Sequence, residues 1–207
     1  MPLEPILLPD LDPTVTGTAA ETFIREAESR IEAFHIARAN RPIRHFIPSD
    51  YRAVYAALQY LAGGDLLTGA NFCEWGSGFG VVTGLAVMEG LTATGIEIEP
   101  DLIAASKGLL QDFEIDCLLL TGSYLPTGYG LYYDSVGDSR QLVADGSSNP
   151  VYDREGIEVS DFDLVFVYPW PGEAQMVEDL FEATAVDGAI LLIYQGHQDL
   201  QAYRQVG

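Results

Sequence analysis

Lysine is almost missing from this chain. Lys107 is the only one, and lysine and arginine together bring 10 positive charges against 31 acidic side chains. The resulting net charge of −21 argues against nucleic acid as a partner, because a strand is held chiefly by basic side chains that neutralise its phosphates. The acidity suits solubility or a salty habitat. Histidine is also scarce: His35, His45 and His197 stand apart, with no His-Glu-x-x-His or Cys-x-x-Cys spacing, so the sequence gives no metal site. There is no Gly-x-Ser-x-Gly elbow and no lysine-bearing phosphate loop. No apolar run approaches the ~20 residues that span a bilayer. The beginning of the sequence lacks a basic, then apolar, leader pattern, so a cytoplasmic, membrane-free protein is expected. Of the two cysteines, Cys73 falls in the first strand of the alternating pattern below and Cys117 in the third. An intervening strand would hold their Cα atoms near 10 Å apart, beyond the ~7 Å a disulfide tolerates; buried free thiols are expected.

What is present is enough apolar and aromatic material for a real core: 48% hydrophobic residues over 207 positions, the size of one domain with a small appendage. Residues 1–17 are rich in Pro, Asp and Thr and read as an extended arm. Phe23, Ile24, Ala27, Ile31 and Phe34 recur at helical spacing, giving an amphipathic helix from Ala19 to about Asn40. Residues 1–48 thus form an N-terminal arm and helix, and residues 49–207 an α/β domain. Ser49 or Asp50 can cap a helix that runs to Gly63-Gly64. Strands then alternate with helices: strand Asn71–Trp75, helix Val81–Met88, strand Ala93–Ile98, helix Asp101–Leu110, strand Ile115–Thr121, strand Phe162–Tyr168, helix Glu173–Ala185 and strand Ala189–Tyr194. The pattern predicts a Rossmann-like, mostly parallel sheet with helices on both faces.

Two stretches break the pattern. From about 124 to 160 no helix is evident, and Tyr129, Tyr132, Tyr133, Gly137, Gly146, Ser147 and Ser148 suggest an insertion with a hairpin of its own. After the last strand only 13 residues remain, so the C-terminal strand pair is expected to be missing. The edge it would leave open could pair with a second copy in a homo-oligomer.

The first strand ends in Glu74 and turns through Gly76-x-Gly78-x-Gly80 into a helix. Glycine permits a sharp turn and lets a flat ligand lie against the backbone, and the helix N-terminus offers N–H groups to a carboxylate or phosphate. The dinucleotide fingerprint requires a third glycine where Val81 stands. A carboxylate just before the turn would repel a pyrophosphate but suits a cationic ligand. Glu97 closes the second strand 21 residues after Gly76, near the interval at which an acidic side chain meets a ribose.

The run from Phe72 to Gly80, with Gly95-Ile96-Glu97-Ile98-Glu99-Pro100-Asp101, resembles the first two motifs of class I S-adenosylmethionine-dependent methyltransferases over roughly residues 50–195. The resemblance implies S-adenosylmethionine as cofactor, with Glu74 near its ammonium, Gly76, Ser77, Gly78 and Gly80 beside it, Glu97 on the ribose and Ile98 against the adenine. Ser123 and Tyr124 occupy the place where the family often carries an adenine-binding Asp. Val167-Tyr168-Pro169-Trp170-Pro171-Gly172-Glu173, where the fourth strand ends, would border the acceptor, a small molecule or a protein side chain. Tyr168 would orient it or act as a base, and Trp170 would wall it. The fourth-strand sequence lacks the polar first residue of amide-directed relatives. That departure, with the absent strand pair, leaves a non-catalytic cofactor-binding or assembly module as the alternative. Helices ahead of the first motif often cover the cofactor in this family, so a guanidinium among Arg38, Arg41, Arg44 and Arg52 could reach an acceptor; ion pairing to the acidic body is the simpler role.

Overall fold

The computed structural model describes residues 2–14, 17–40, 43, 46–127, 151–197 and 199–207. Among these, seven strands form one sheet in the order β1-β7-β6-β5-β2-β3-β4. Strands β2 (Asn71–Trp75), β3 (Thr92–Glu97), β4 (Leu118–Thr121), β5 (Leu164–Val167) and β6 (Ile190–Gly196) run parallel, and β7 (Asp199–Gln205) is antiparallel to β6. The helices are α1 (Thr18–Ala37), α2 (Tyr51–Gly63), α3 (Val81–Met88), α4 (Pro100–Asp112), the short α5 (Val151–Glu155) and α6 (Ala174–Thr184). None is long and apolar enough to cross a membrane.

The central strands are apolar on both faces, and their side chains divide by the two-residue period of a strand. Phe72, Leu164, Phe166, Ile190 and Leu192 join α1 to α4 in one core, while Cys73, Trp75, Val165, Val167, Leu191 and Ile193 join α5 and α6 in the other. Helix α1 buries Phe23, Ile24, Ala27 and Ile31 of the stripe read from its spacing, and Ala20 with them, while Phe34 is half-buried. Gly84 lets it pack closely, since a Cβ there would lie 2.7 Å from the Phe23 ring and 2.9 Å from Leu110. Of the two candidate caps for α2, Asp50 is the one used, accepting from the Ala53 N–H at 3.1 Å. Cys73 and Cys117 are free and separated by β3 as expected, although only Cys73 is fully buried.

The expected loss of the C-terminal strand pair is incorrect. A tight turn at Gly196 and His197, both with positive φ, folds the last residues back as β7 along β6. Gly196 takes that conformation without strain, and His belongs to the minority of side chains that tolerate it. Beyond β7, the position of an outer strand is filled from the other end of the chain. Leu3–Ile6 pair antiparallel with Gln205–Ala202 as β1. The arm therefore belongs to the sheet, and Pro5 is placed where a proline can serve, in a short edge strand. The insertion also differs from expectation at its return: Val151 and Tyr152 of α5 are buried against the sheet. The Tyr152 hydroxyl accepts from the Trp75 indole N–H at 2.9 Å. The predicted hairpin, with Tyr129, Tyr132, Tyr133, Gly137, Gly146, Ser147 and Ser148, lies outside the described residues.

Candidate functional site

The carboxyl ends of β2, β3, β4 and β5 open into a cavity of about 570 Å³. The switch in strand order between β2 and β5 lies beneath it, where ligands settle in open α/β sheets. Its floor is the turn after β2. The Gly76 and Ser77 N–H groups both donate to the Ile96 carbonyl at 2.9 Å, the Gly78 N–H donates to Glu97 Oε2 at 2.8 Å, and the Gly80 N–H donates to the Ser77 carbonyl at 2.6 Å. The turn is therefore stitched to β3 through its own amides. Gly76, Gly78 and Gly80 all have positive φ, which explains the glycines as backbone requirements. A Cβ at Gly76 would meet nothing within 4 Å, whereas one at Gly78 would strike the Phe46 ring at 2.6 Å.

Glu74 is 5% exposed. Its Oε2 accepts from the Thr83 N–H at 2.7 Å and the Thr83 hydroxyl at 2.5 Å. The carboxylate thus caps the first turn of α3, a stabilising place for negative charge, and the expectation that this turn would present its amides to a ligand is not met there. Burial pushes the Glu74 pKa up to about 8 against the lowering effect of the Thr83 bonds, with Glu97 adding repulsion. Glu97 is also buried and raised by desolvation, while N–H donors from Glu99 and Gly78 hold its charged form. Each of its oxygens takes one backbone bond and keeps lone-pair capacity for a ligand.

The other predicted residues converge on the same cavity with one exception. Ser77, Ile98, Ser123, Tyr124, Tyr168 and Trp170 all line it. Ser77 Oγ is buried without a partner among the described residues. Ile98 is half exposed at the rim. Ser123 Oγ accepts from the Leu125 N–H at 3.1 Å, which turns the chain toward Tyr124, whose ring stacks on Trp75 at 5.2 Å with planes 6° apart. Gly80 does not line the cavity: its Cα faces α4, where an added Cβ would collide with Ser106 Oγ. Tyr168 meets Tyr194 edge to face at 4.8 Å, and burial raises its phenol pKa. At neutral pH it stays protonated, which favours hydrogen-bond donation over action as a base.

One wall of the cavity was not read from the sequence. Ile43, Phe46, Ile47, Pro48 and Ser49, the link ahead of α2, form a wall with Tyr51. Phe46 stacks between His35 and Phe79 at 5.6 and 5.4 Å, holding the link over the glycine turn. Glu173, 7% exposed at the start of α6, is a further carboxylate in the lining. A second cavity of about 330 Å³ adjoins the first, sharing Ile47, Tyr168, Pro169 and Trp170. Two of the arginines ahead of the first motif take the simpler role: Arg38 pairs with Asp101 at 2.6 Å, and Arg52 with Glu21 at 3.0 Å and Glu28 at 2.7 Å. Arg41, Arg44 and His45 lie outside the described residues.

No protein-family model and no curated protein sequence matches the chain. Solved structures do. The O-methyltransferase TomG from Streptomyces achromogenes, solved in complex with SAM, superposes with a TM-score of 0.52 at 14% identity, over 89% of this chain and 66% of that one. A methyltransferase from Geobacter sulfurreducens gives 0.48 at 15% identity over 96% and 93% of the two chains. An RNA methyltransferase from Salinibacter ruber, in complex with S-adenosyl-L-homocysteine, gives 0.46 at 18% identity over 73% and 88%.

Proposed function

We infer that this chain, which has the fold of the class I S-adenosylmethionine-dependent methyltransferases, binds S-adenosylmethionine in the larger cavity and transfers its methyl group to a small molecule or a protein side chain. The observation that carries the reading is the Glu97 carboxylate, fixed by two backbone N–H bonds beside the glycine turn. It can accept from the paired hydroxyls of a ribose, which a solvated strand-end carboxylate would not be built to do.

The cavity's chemistry fits this cofactor better than a dinucleotide. The amides of Gly76, Ser77, Gly78 and Gly80 are already bonded within the protein, so the turn has few donors left for a pyrophosphate. Glu74, Glu97, Glu99 and Glu173 line the cavity, and no Lys, Arg or His does among the described residues. An ammonium and a sulfonium are welcome there, and phosphates are not. The open space beside Gly76 lets a ligand lie on the backbone, and the buried Ser77 hydroxyl can satisfy a polar ligand atom.

When bound, the cofactor supplies an electrophilic methyl group on a positively charged sulfur. The protein's part is alignment and exclusion of water. The Phe46 link closes one side of the cavity, Tyr168 offers a hydroxyl toward an acceptor, and Trp170 offers a ring. The non-catalytic alternative loses one of its two premises, the absent strand pair, because β7 and β1 complete the sheet; the fourth-strand run without its polar first residue still motivates it. Incubation with methyl-labelled S-adenosylmethionine and a panel of small acceptors is expected to give labelled product, lost in Glu97→Ala. Tight binding of the cofactor with no label transferred to any acceptor would favour the non-catalytic reading instead.

A further inference from the structure

The two adjoining cavities differ in charge. Glu74, Glu97, Glu99 and Glu173 line the larger, whereas the smaller has no charged side chain in its lining among the described residues. Ile47, Pro169, Pro171 and Ala174 give the smaller cavity apolar walls. Ile47 is 54% exposed, an apolar surface that a ligand would take out of water. The polar groups of this lining, Tyr168 and Gln195, gather at one end, where β6 turns into β7. The Tyr168 hydroxyl lies against Gly196, since a Cβ added at that glycine would stand 3.4 Å from it, and Gln195 is the neighbouring residue in the chain. No described residue hydrogen-bonds the Tyr168 hydroxyl, and burial keeps it protonated, so it is a donor. The Gln195 Nε2 donates to Gln201 Oε1 at 3.0 Å, an oxygen that also takes the Tyr203 hydroxyl at 2.8 Å. That pairing fixes the amide and leaves Gln195 Oε1 as an acceptor.

We propose that the smaller cavity binds an uncharged small molecule, its apolar body against Ile47, Pro169, Pro171 and Ala174 and a hydroxyl group at the end held by Tyr168 and Gln195. The binding is independent of the reading above; that the bound molecule is the methyl acceptor rests on that reading. A hydroxyl suits both protein groups, because it accepts from the Tyr168 O–H and donates to Gln195 Oε1. The volume of about 330 Å³ is that of a small-molecule site, in which apolar walls carry a few placed polar groups. A cation entering it would shed water with no carboxylate in the lining to take its charge. An anion would shed water beside a cavity lined by carboxylates.

The test is equilibrium binding to the full chain, by calorimetry, with and without saturating S-adenosylhomocysteine. The probes are phenethyl alcohol, phenethylamine and phenylacetate, which share an apolar body and differ in charge. Phenethyl alcohol is expected to bind about tenfold or more tightly than phenethylamine, the effect of desolvating an unpaired charge, with phenylacetate weakest. Ala174 and Gln195 line the smaller cavity and not the larger. Ala174→Leu, which fills the smaller cavity, is expected to abolish binding of the alcohol and leave S-adenosylhomocysteine binding intact. Gln195→Leu, at an exposed position, should weaken the alcohol about fivefold, the loss of one neutral hydrogen bond, a readout that holds if the first variant fails to fold. Equal or tighter binding of the amine or the carboxylate, an alcohol affinity that neither variant lowers, or no saturable alcohol binding would overturn the proposal. Failure of S-adenosylhomocysteine itself to bind would strike the cofactor reading and not the smaller site, which the cofactor-free titration measures separately.

Discussion

Replacing Glu74 by Gln should remove a pH-dependent loss of stability. The Glu74 pKa in the folded protein is about 8 against an ordinary 4.5. The folded state therefore binds more protons than the unfolded one across that window. Stability from this group is full below pH 4.5 and is lost as pH rises toward 8. At 1.36 kcal/mol per unit, the 2.5 units between pH 4.5 and pH 7 amount to about 3 kcal/mol, and the plateau above pH 8 to about 5 kcal/mol. Gln keeps an oxygen to accept from the Thr83 N–H and hydroxyl, so the α3 cap survives. Urea denaturation of wild type and Glu74→Gln at intervals from pH 5 to pH 8 should give a stability difference that grows in favour of the variant by roughly this amount. The difference between the two proteins cancels the general repulsion of an acidic chain. A difference that stays flat over the window, or that shifts in favour of wild type as pH rises, would refute the burial argument. Saturation with S-adenosylhomocysteine, whose ammonium favours the charged carboxylate, should flatten the slope.

Other consequences separate packing from binding. Gly80→Ala forces a side chain into a positive-φ position against Ser106 and should cost about 1–3 kcal/mol in thermal or urea unfolding, while the folded variant keeps its affinity for S-adenosylhomocysteine because Gly80 lies outside the cavity lining. Tyr152→Phe removes the acceptor of the buried Trp75 N–H and should lower stability by about 1–3 kcal/mol; no change in melting temperature would mean that this bond is replaced by another. Deleting residues 2–6 bares the hydrogen-bonding edge of β7, and an exposed edge invites pairing with another chain. Light scattering should then report stronger concentration-dependent association than the full chain shows, and unchanged scattering would show that β1 does not protect the edge.

The repeating core of the fold was legible because buried parallel strands are short, apolar and bounded by turns. Asn71–Trp75 and Val81–Met88 fall where their residues place them. The two ends of the chain were not legible. Leu3-Glu4-Pro5-Ile6 carries no strand pattern, and becomes a strand only because Ala202–Gln205 present an edge to it. That edge exists only after the chain reverses between Gly196 and Asp199, which pair with one another. Counting residues after the last parallel strand missed the economy of both. In the site, the glycines and Glu97 were visible through their spacing. The use of the turn's amides was not, since their satisfaction by Ile96 and Glu97 is a tertiary event. The link from Ile43 to Ser49 was hidden for a similar reason: it has no periodic pattern, and only the fold lays it against the cavity.

The central claim is that the cavity above Gly76 and Glu97 holds S-adenosylmethionine. Calorimetric titration of the full chain with S-adenosylhomocysteine tests it most directly. The account predicts saturable binding at one site per chain, greatly weakened by Glu97→Ala in a variant whose unfolding curve remains cooperative. An absence of binding at millimolar ligand, or binding that Glu97→Ala leaves unchanged, would contradict it.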